Sequence, residues 1–302
     1  MAAGQWFDAL SIAWKPSTVT SVRSILHCHL VPAFGSRSVA GISRADLLAY
    51  RAQLIRSHAG RQGASQLSPA RANRVMTVLR QILAEAALQG GTASAGAAVT
   101  PLPERQQPIQ PFTWPEVERL VQAAPAHLAD YIRVRCLTGL RSGEINGLRW
   151  DQVDRARGVL RIIRARVAGQ EVLPKNEFSE RDIPLTAPLV EALDRQAART
   201  GQGDEGFVFV TRRGAPISTT NFANRDWPRI LARAGLAPRR PYQTRHTAAT
   251  LMLAAGENPA WIAQVLGHAD CQMLWRTYAR YLPNLTRQDG SAFAAAVGRL
   301  AA

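Results

Sequence analysis

Between Arg245 and Tyr278 the chain reads R-H-T-A-A-T-L-M-L-A-A-G-E-N-P-A-W-I-A-Q-V-L-G-H-A-D-C-Q-M-L-W-R-T-Y. Gly256 and Gly267 stand where a glycine ends a helix in the left-handed conformation, and Pro259 stands where a proline opens one. Stops this close together exclude one long helix. They predict short helices at about 242–255, 259–266 and 271–281. Arg245 then lies near a helix start and His268 just past a helix end, with Tyr278 ten residues further on. An arginine, a histidine and a tyrosine set at the ends of short helices can hold one phosphate and attack it.

Similar punctuation organises the rest of the chain. Residues 1–90 read as helices. One starts at Trp14–Thr18 with Val19, Val22, Ile25 and Leu26 on one face, and residues 32–35 read as a turn. Another starts with Ser43 as N-cap and Asp46 as its capping-box partner. A third starts at Ser68-Pro69, with Val75, Leu79, Ile82 and Leu83 as its apolar stripe. The Gly/Ala/Pro-rich run 91–111 has no period and reads as an interdomain linker. Thr113-Trp114-Pro115-Glu116 then opens a helix, and a second covers about 127–138, ending at Gly139. Three short antiparallel strands are expected within 159–185. Helices resume at about 187–200 and 221–234, and a final one covers about 285–300. The expected fold is mainly α with a small antiparallel sheet, in two domains: a helical 1–90 and an α+β 112–302.

The charge is +15, carried by 35 arginines and two lysines. Residues 1–110 contribute +7 and residues 111–302 contribute +8. Two basic domains on a tether suit a polyanion, and could close around a duplex. No run of 18 apolar residues occurs, and the N-terminus lacks a basic stretch followed by an apolar core. Nucleic acid, not a membrane, is therefore the expected partner, double-stranded DNA if the two domains close as a clamp, and the cysteine usage fits a reducing cytoplasm. Cys28, Cys136 and Cys271 are too few and scattered for a disulfide framework. His27-Cys28-His29 has no further ligands nearby to complete a metal site, so neither metal nor cofactor is expected.

Cleaving a phosphodiester without a metal needs a nucleophile, cations on the non-bridging oxygens, and an acid for the leaving oxygen. Arginine suits the cations, because its planar fork makes two hydrogen bonds to phosphate. Arg141, in T-G-L-R-S-G-E, falls between a helix ending at Gly139 and another beginning near Ser142, beside an anion-attracting helix N-terminus. Glu144, one turn on, can orient it. Lys175 is the only lysine after residue 15 and lies between the second and third expected strands. Arg181 in the same segment reads as a phosphate contact or a surface charge. Tyr242-Gln243-Thr244-Arg245 supplies a second arginine. His246 points about 100° away from Arg245 on a helix and reads as a packing or capping residue. Tyr278 is the candidate nucleophile, and Tyr281, one turn later, is the alternative.

T-G-L-R-S-G-E-I, Y-Q-T-R, L-G-H-A-D and Tyr278, in that order, resemble the active-site boxes of the tyrosine recombinases, the phage integrase family. T-S-V-R-S-I-L-H-C-H-L-V-P-A-F-G resembles the family's core-binding domain. The resemblance implies a helical, SAM-like core-binding domain with no arm-type domain before it, followed by a catalytic domain. Arg141 and Arg245 would bind the scissile phosphate, and His268 a non-bridging oxygen. Lys175 would protonate the leaving 5′-oxygen. Tyr278, favoured over Tyr281 by the family's spacing from His268, would form a 3′-phosphotyrosine. Neighbouring arginines should ease formation of its phenolate. Tyr242 departs from the family's usual histidine. Its hydroxyl can donate to a phosphate oxygen, but with an ordinary pKa of about 10 it is ill suited to proton exchange near neutrality.

The implied activity is site-specific recombination, for integration or excision of a mobile element. Four protomers on two sites would pass through a Holliday junction without ATP or metal. Accessory DNA-bending or directionality proteins are compatible with this, as is association with the nucleoid. The final helix would pack on a neighbouring subunit or on its own domain. The alternatives are type IB topoisomerase-like relaxation and a catalytically inactive DNA-binding relative.

Overall fold

The structure, a computed structural model, describes residues 2–56, 67–90, 99–104, 108–167, 169–172, 180–201, 206–278 and 297. It is mainly helical with a few short antiparallel strands, and it divides into two compact units, Met1–Gln107 and Pro108–Ala302. None of its described helices is long and apolar enough to cross a membrane.

The first unit holds α1 (Ala2–Ser11), α2 (Pro16–Ile25), α3 (Val31–Phe34), α4 (Arg44–Arg56) and α5 (Pro69–Gly90). Trp6, Val22, Ile25 and Leu26 bury against Leu47, Val75, Leu79, Ile82 and Leu83. Ser43 and Asp46 form the reciprocal cap that starts α4: Ser43 N donates to Asp46 Oδ2 at 2.9 Å, and Asp46 N donates to Ser43 Oγ at 3.2 Å. Residues 99–104 pack on this unit, with Val99 in its core and Leu102 N donating to Asn73 Oδ1 at 2.8 Å.

The turn expected at 32–35 is instead helical. Pro32 lies in the first turn of α3, which continues from α2 through a π-helical turn, Leu26–Leu30. A proline inside a helix lacks a donor and clashes with the preceding turn. Widening that turn by one residue accommodates it. The same solution recurs before Pro228, where a π-turn at Phe222–Asp226 divides the helix expected at 221–234.

The second unit begins with α6 (Trp114–Ala123), α7 (Ala126–Thr138) and α8 (Ser142–Asn146). The strands β1 (Val153–Asp154), β2 (Val159–Ile162), β3 (Ala165–Val167), β4 (Gln170–Val172) and β5 (Arg181–Pro184) follow. It ends with α9 (Ala187–Thr200), α10 (Thr219–Asn221), α11 (Trp227–Arg233), α12 (Gln243–Ala254), α13 (Pro259–Leu266) and α14 (Gln272–Tyr278). Tyr131, Ile132, Leu140, Ile145, Leu160, Phe209 and Trp227 form its centre.

Among the described residues the three expected strands become five, in two sheets. One has the order β1-β2-β5 and the other is the hairpin β3-β4, all antiparallel. The run 159–167 breaks after Ile162 because β3 lies on α8. Gly143 and Gly147 permit that approach: a Cβ on Gly147 would fall 2.9 Å from Arg166 N. Residues 173–179, and with them Lys175, lie outside the described residues, as do Tyr281 and, apart from Val297, the expected helix at 285–300.

Candidate active site

A helix leaves its last carbonyls without intrahelical partners, and its C-terminal end attracts cations. At the end of α13 three successive carbonyls each take one arginine. Val265 O accepts from Arg181 Nε at 2.6 Å, Leu266 O from Arg245 Nη2 at 2.6 Å, and Gly267 O from Arg141 Nη2 at 2.9 Å. Arg245 Nη1 also donates to Gly139 O at 2.8 Å, so this side chain joins the ends of α7 and α13. Both ends turn through a left-handed glycine, Gly139 at φ 65° and Gly267 at φ 67°. A side chain at either position would be strained by that backbone conformation and would have to push its neighbours aside. A Cβ on Gly139 would meet Leu266 Cδ2 at 2.5 Å, and one on Gly267 would meet Arg181 Nη1 at 3.0 Å and Arg141 Nη1 at 3.2 Å.

Glu144 is the acid in this cluster. It accepts from Arg141 N and Arg141 Nη1, both at 2.8 Å, and from Arg181 Nη2 at 2.9 Å. Burial opposes its ionisation, yet Arg181, and less strongly Arg141, bring its pKa down to about 2. Arg181 is therefore neither a surface charge nor a free phosphate contact. Its side chain is 2% exposed, set between Glu144 and the end of α13. The first residue of β5 points it inward, where the Glu144 carboxylate offsets the cost of burying its charge. Arg141 differs, with 38% of its side chain open to solvent.

His268 follows Gly267, and its Nδ1 is buried with no hydrogen-bond partner among the described residues. Burial, followed by the charges of Arg245, Arg141 and Arg181, brings its pKa down to about 4. Tyr278 is 2% exposed, and its hydroxyl lies 2.8 Å from Nδ1 of His246. Burial pushes its pKa up to about 12, and the charge of Arg245 offsets this only in part. The expectation of an eased phenolate is thus corrected: desolvation outweighs the neighbouring cation. His246 is corrected too, since it is the hydrogen-bond partner of the Tyr278 hydroxyl. Tyr242, exposed at the start of α12, sets its ring edge-on to His246 with centroids 5.1 Å apart. Among the described residues no group of three or more His, Cys, Asp or Glu could hold a metal.

Arg141, Arg245 and the unpartnered nitrogen of His268 thus meet at one helix end, with the Tyr278 phenol near Arg245, an arrangement with the chemistry to hold an oxyanion. The phage integrase family model matches residues 112–284, more than half of the chain and all of the segment that builds this site. The chain belongs to the phage integrase family, the tyrosine recombinases. It is similar to the putative defective protein IntQ of Escherichia coli K12, at 30% identity over 61% of this chain and 53% of IntQ. It is also similar to the prophage integrase IntR of the same organism, at 25% identity over 94% of this chain and 76% of IntR. The chain thus spans only about half the length of IntQ. Among solved structures, the Tn1549 transposon integrase in complex with transposon right-end DNA shares this fold, with a TM-score of 0.76 and 19% identity over the whole of both chains. A lambda integrase tetramer bound to a Holliday junction matches with a TM-score of 0.72 and 18% identity, over 95% of this chain and 78% of that one.

Two residues of this integrase-family site escaped the sequence reading. His246 falls four positions after Tyr242, on the same helical face, and that spacing was the available signal. Arg135 gave none. It is fully buried, and among the described residues no carboxylate is paired with it. Instead it donates to Ser142 Oγ at 3.2 Å, Thr244 Oγ1 at 3.1 Å and Tyr131 OH at 3.1 Å, and it lies over the Tyr131 and Phe222 rings. It ties the start of α8 to the start of α12, the segments that carry Arg141 and Arg245.

Proposed function

We propose that this chain is a site-specific DNA recombinase that cleaves and rejoins duplex DNA through a 3′-phosphotyrosine at Tyr278, for integration or excision of a mobile element. The observation that carries the reading is the gathering of Arg141, Arg245 and His268 about one helix end, with the Tyr278 hydroxyl close enough to feel the charge of Arg245. In this reading the scissile phosphate displaces carbonyls as the partner of the two guanidiniums. Arg141, already partly open to solvent, meets it first. Nδ1 of His268 holds a non-bridging oxygen, and Glu144 keeps Arg141 in place.

The Tyr278 oxygen forms its bond to phosphorus as the bond to the 5′-oxygen breaks. Lys175 supplies the leaving oxygen with a proton. Tyr242, exposed at the rim, donates its hydroxyl to the phosphate. The phosphotyrosine retains the bond energy, so a 5′-hydroxyl from a partner duplex can reseal the strand without ATP or metal. Exchange between two sites calls for a homotetramer on DNA, with accessory bending or directionality proteins and a place on the nucleoid.

The test is strand exchange between two labelled duplexes carrying the flanking sequences of the element. Joined products through a four-way junction are expected. Relaxation of supercoils with no product joining two duplexes would instead indicate topoisomerase-like activity. Binding without any cleavage would indicate an inactive relative.

A further inference from the structure

We propose that His246 is the base of the reaction: it takes the Tyr278 proton as that oxygen bonds to phosphorus, and returns it when the strand is resealed. This rests on the reading of Tyr278 as nucleophile. The hydroxyl has one hydrogen-bond partner among the described residues, Nδ1 of His246 at 2.8 Å. The imidazole is held between two rings, Tyr242 edge-on at 5.1 Å and Tyr278 tilted at 5.6 Å between centroids. The groups that face it are Tyr242 and Arg245 on its own helix and Tyr278 on α14. Among the described residues none of its ring nitrogens is paired with a carboxylate.

Burial, and next the charge of Arg245, bring the His246 pKa down to about 4, so the ring is neutral and its Nδ1 can accept. The resting phenol, pushed up to about 12, keeps its proton. Attack reverses the balance. An oxygen that is bonding to phosphorus becomes steeply more acidic, while negative charge gathering on the phosphoryl oxygens favours an imidazolium alongside. The proton therefore moves as the new bond forms. One bond, Tyr278 O–P, is made and one, P–O5′, is broken. The Tyr278 proton ends on His246, and the leaving oxygen takes its own from the acid. In resealing, the departing phenolic oxygen recovers the proton from His246.

The test is single-turnover cleavage of a nicked suicide duplex by the full chain, comparing wild type with His246→Asn, His246→Ala and Tyr278→Phe. Asparagine keeps an acceptor oxygen near the place of Nδ1 but takes no proton. Both His246 variants should cleave about 10²-fold more slowly with DNA binding intact, the scale of a lost general base. The His246→Asn rate should climb with pH where the wild-type rate is level, and added imidazole should speed His246→Ala. Thermal melting separates loss of fold from loss of chemistry, and the asparagine variant carries the test if alanine unfolds the site. An adduct lost in Tyr278→Phe but formed by His246→Asn within about threefold of the wild-type rate overturns the role of His246 alone. So does a slowed His246→Asn whose pH profile parallels the wild type. An adduct that survives Tyr278→Phe overturns the reading of Tyr278 and the role of His246 with it.

Discussion

Arg141 and Arg245 are bonded to consecutive carbonyls of one helix end, Gly267 O at 2.9 Å and Leu266 O at 2.6 Å. Their surroundings differ: Arg141 is partly open and Arg245 is 1% exposed. The pair should therefore separate on mutation. Arg245→Ala removes two charged hydrogen bonds that join α7 to α13, and should cost about 3 kcal/mol of stability as well as activity. Arg141→Ala should abolish cleavage at a stability cost of about 1 kcal/mol or less, since Arg181 still neutralises Glu144. Denaturant unfolding of both variants beside a cleavage assay checks this.

The Glu144 carboxylate gives the fold an acid limit. Its folded pKa of about 2 lies below its ordinary 4.5. Its contribution is thus complete above pH 4.5 and is lost as pH falls from there towards 2. Glu144→Gln should destabilise at neutral pH by about 3 kcal/mol, because Arg181 is left buried without its counter-charge. It should also flatten this part of the stability–pH curve. Urea melts between pH 2.5 and 7 measure both effects.

His268 and His246 act at higher pH. Each has its folded pKa brought from 6.5 down to about 4, so the DNA-free protein should lose stability as pH falls through that interval. A phosphate beside His268 reverses the sign of its local field. DNA binding near pH 6 should therefore take up protons, and His268→Asn should reduce the uptake. Calorimetric titration in buffers of differing ionisation enthalpy reads this directly.

Arg135 supports the site from beneath. Arg135→Leu should lose cleavage, because the starts of α8 and α12 lose their common donor. Tyr131 OH keeps its bond to Asn146 Oδ1 at 2.7 Å, so the core itself should persist. Arg135→Lys, with fewer donors in a fixed plane, should recover stability better than rate. Melting temperature and single-turnover rate, measured on both variants, would show the split.

What the sequence disclosed follows the range of each interaction. The cap at Thr113–Glu116, the Pro259 start of α13 and the glycine ends at 139 and 267 are set by residues within a turn of each other, and all were readable. The division of 159–167 between two sheets was not, because it depends on Gly143 and Gly147 admitting β3 against α8. The burial of Arg181 depends on Glu144, 37 positions away, and the pairing of His246 depends on Tyr278, 32 positions away. Arg135 looked like any other arginine in a chain with 35 of them.

The most direct measurement is the identity of the residue that holds the DNA. A suicide duplex should trap the full chain covalently, and digestion with mass spectrometry should place the nucleotide on the peptide containing Tyr278, with no adduct from Tyr278→Phe. A nucleotide found on Tyr281, or trapping unaffected by Tyr278→Phe, would contradict the account.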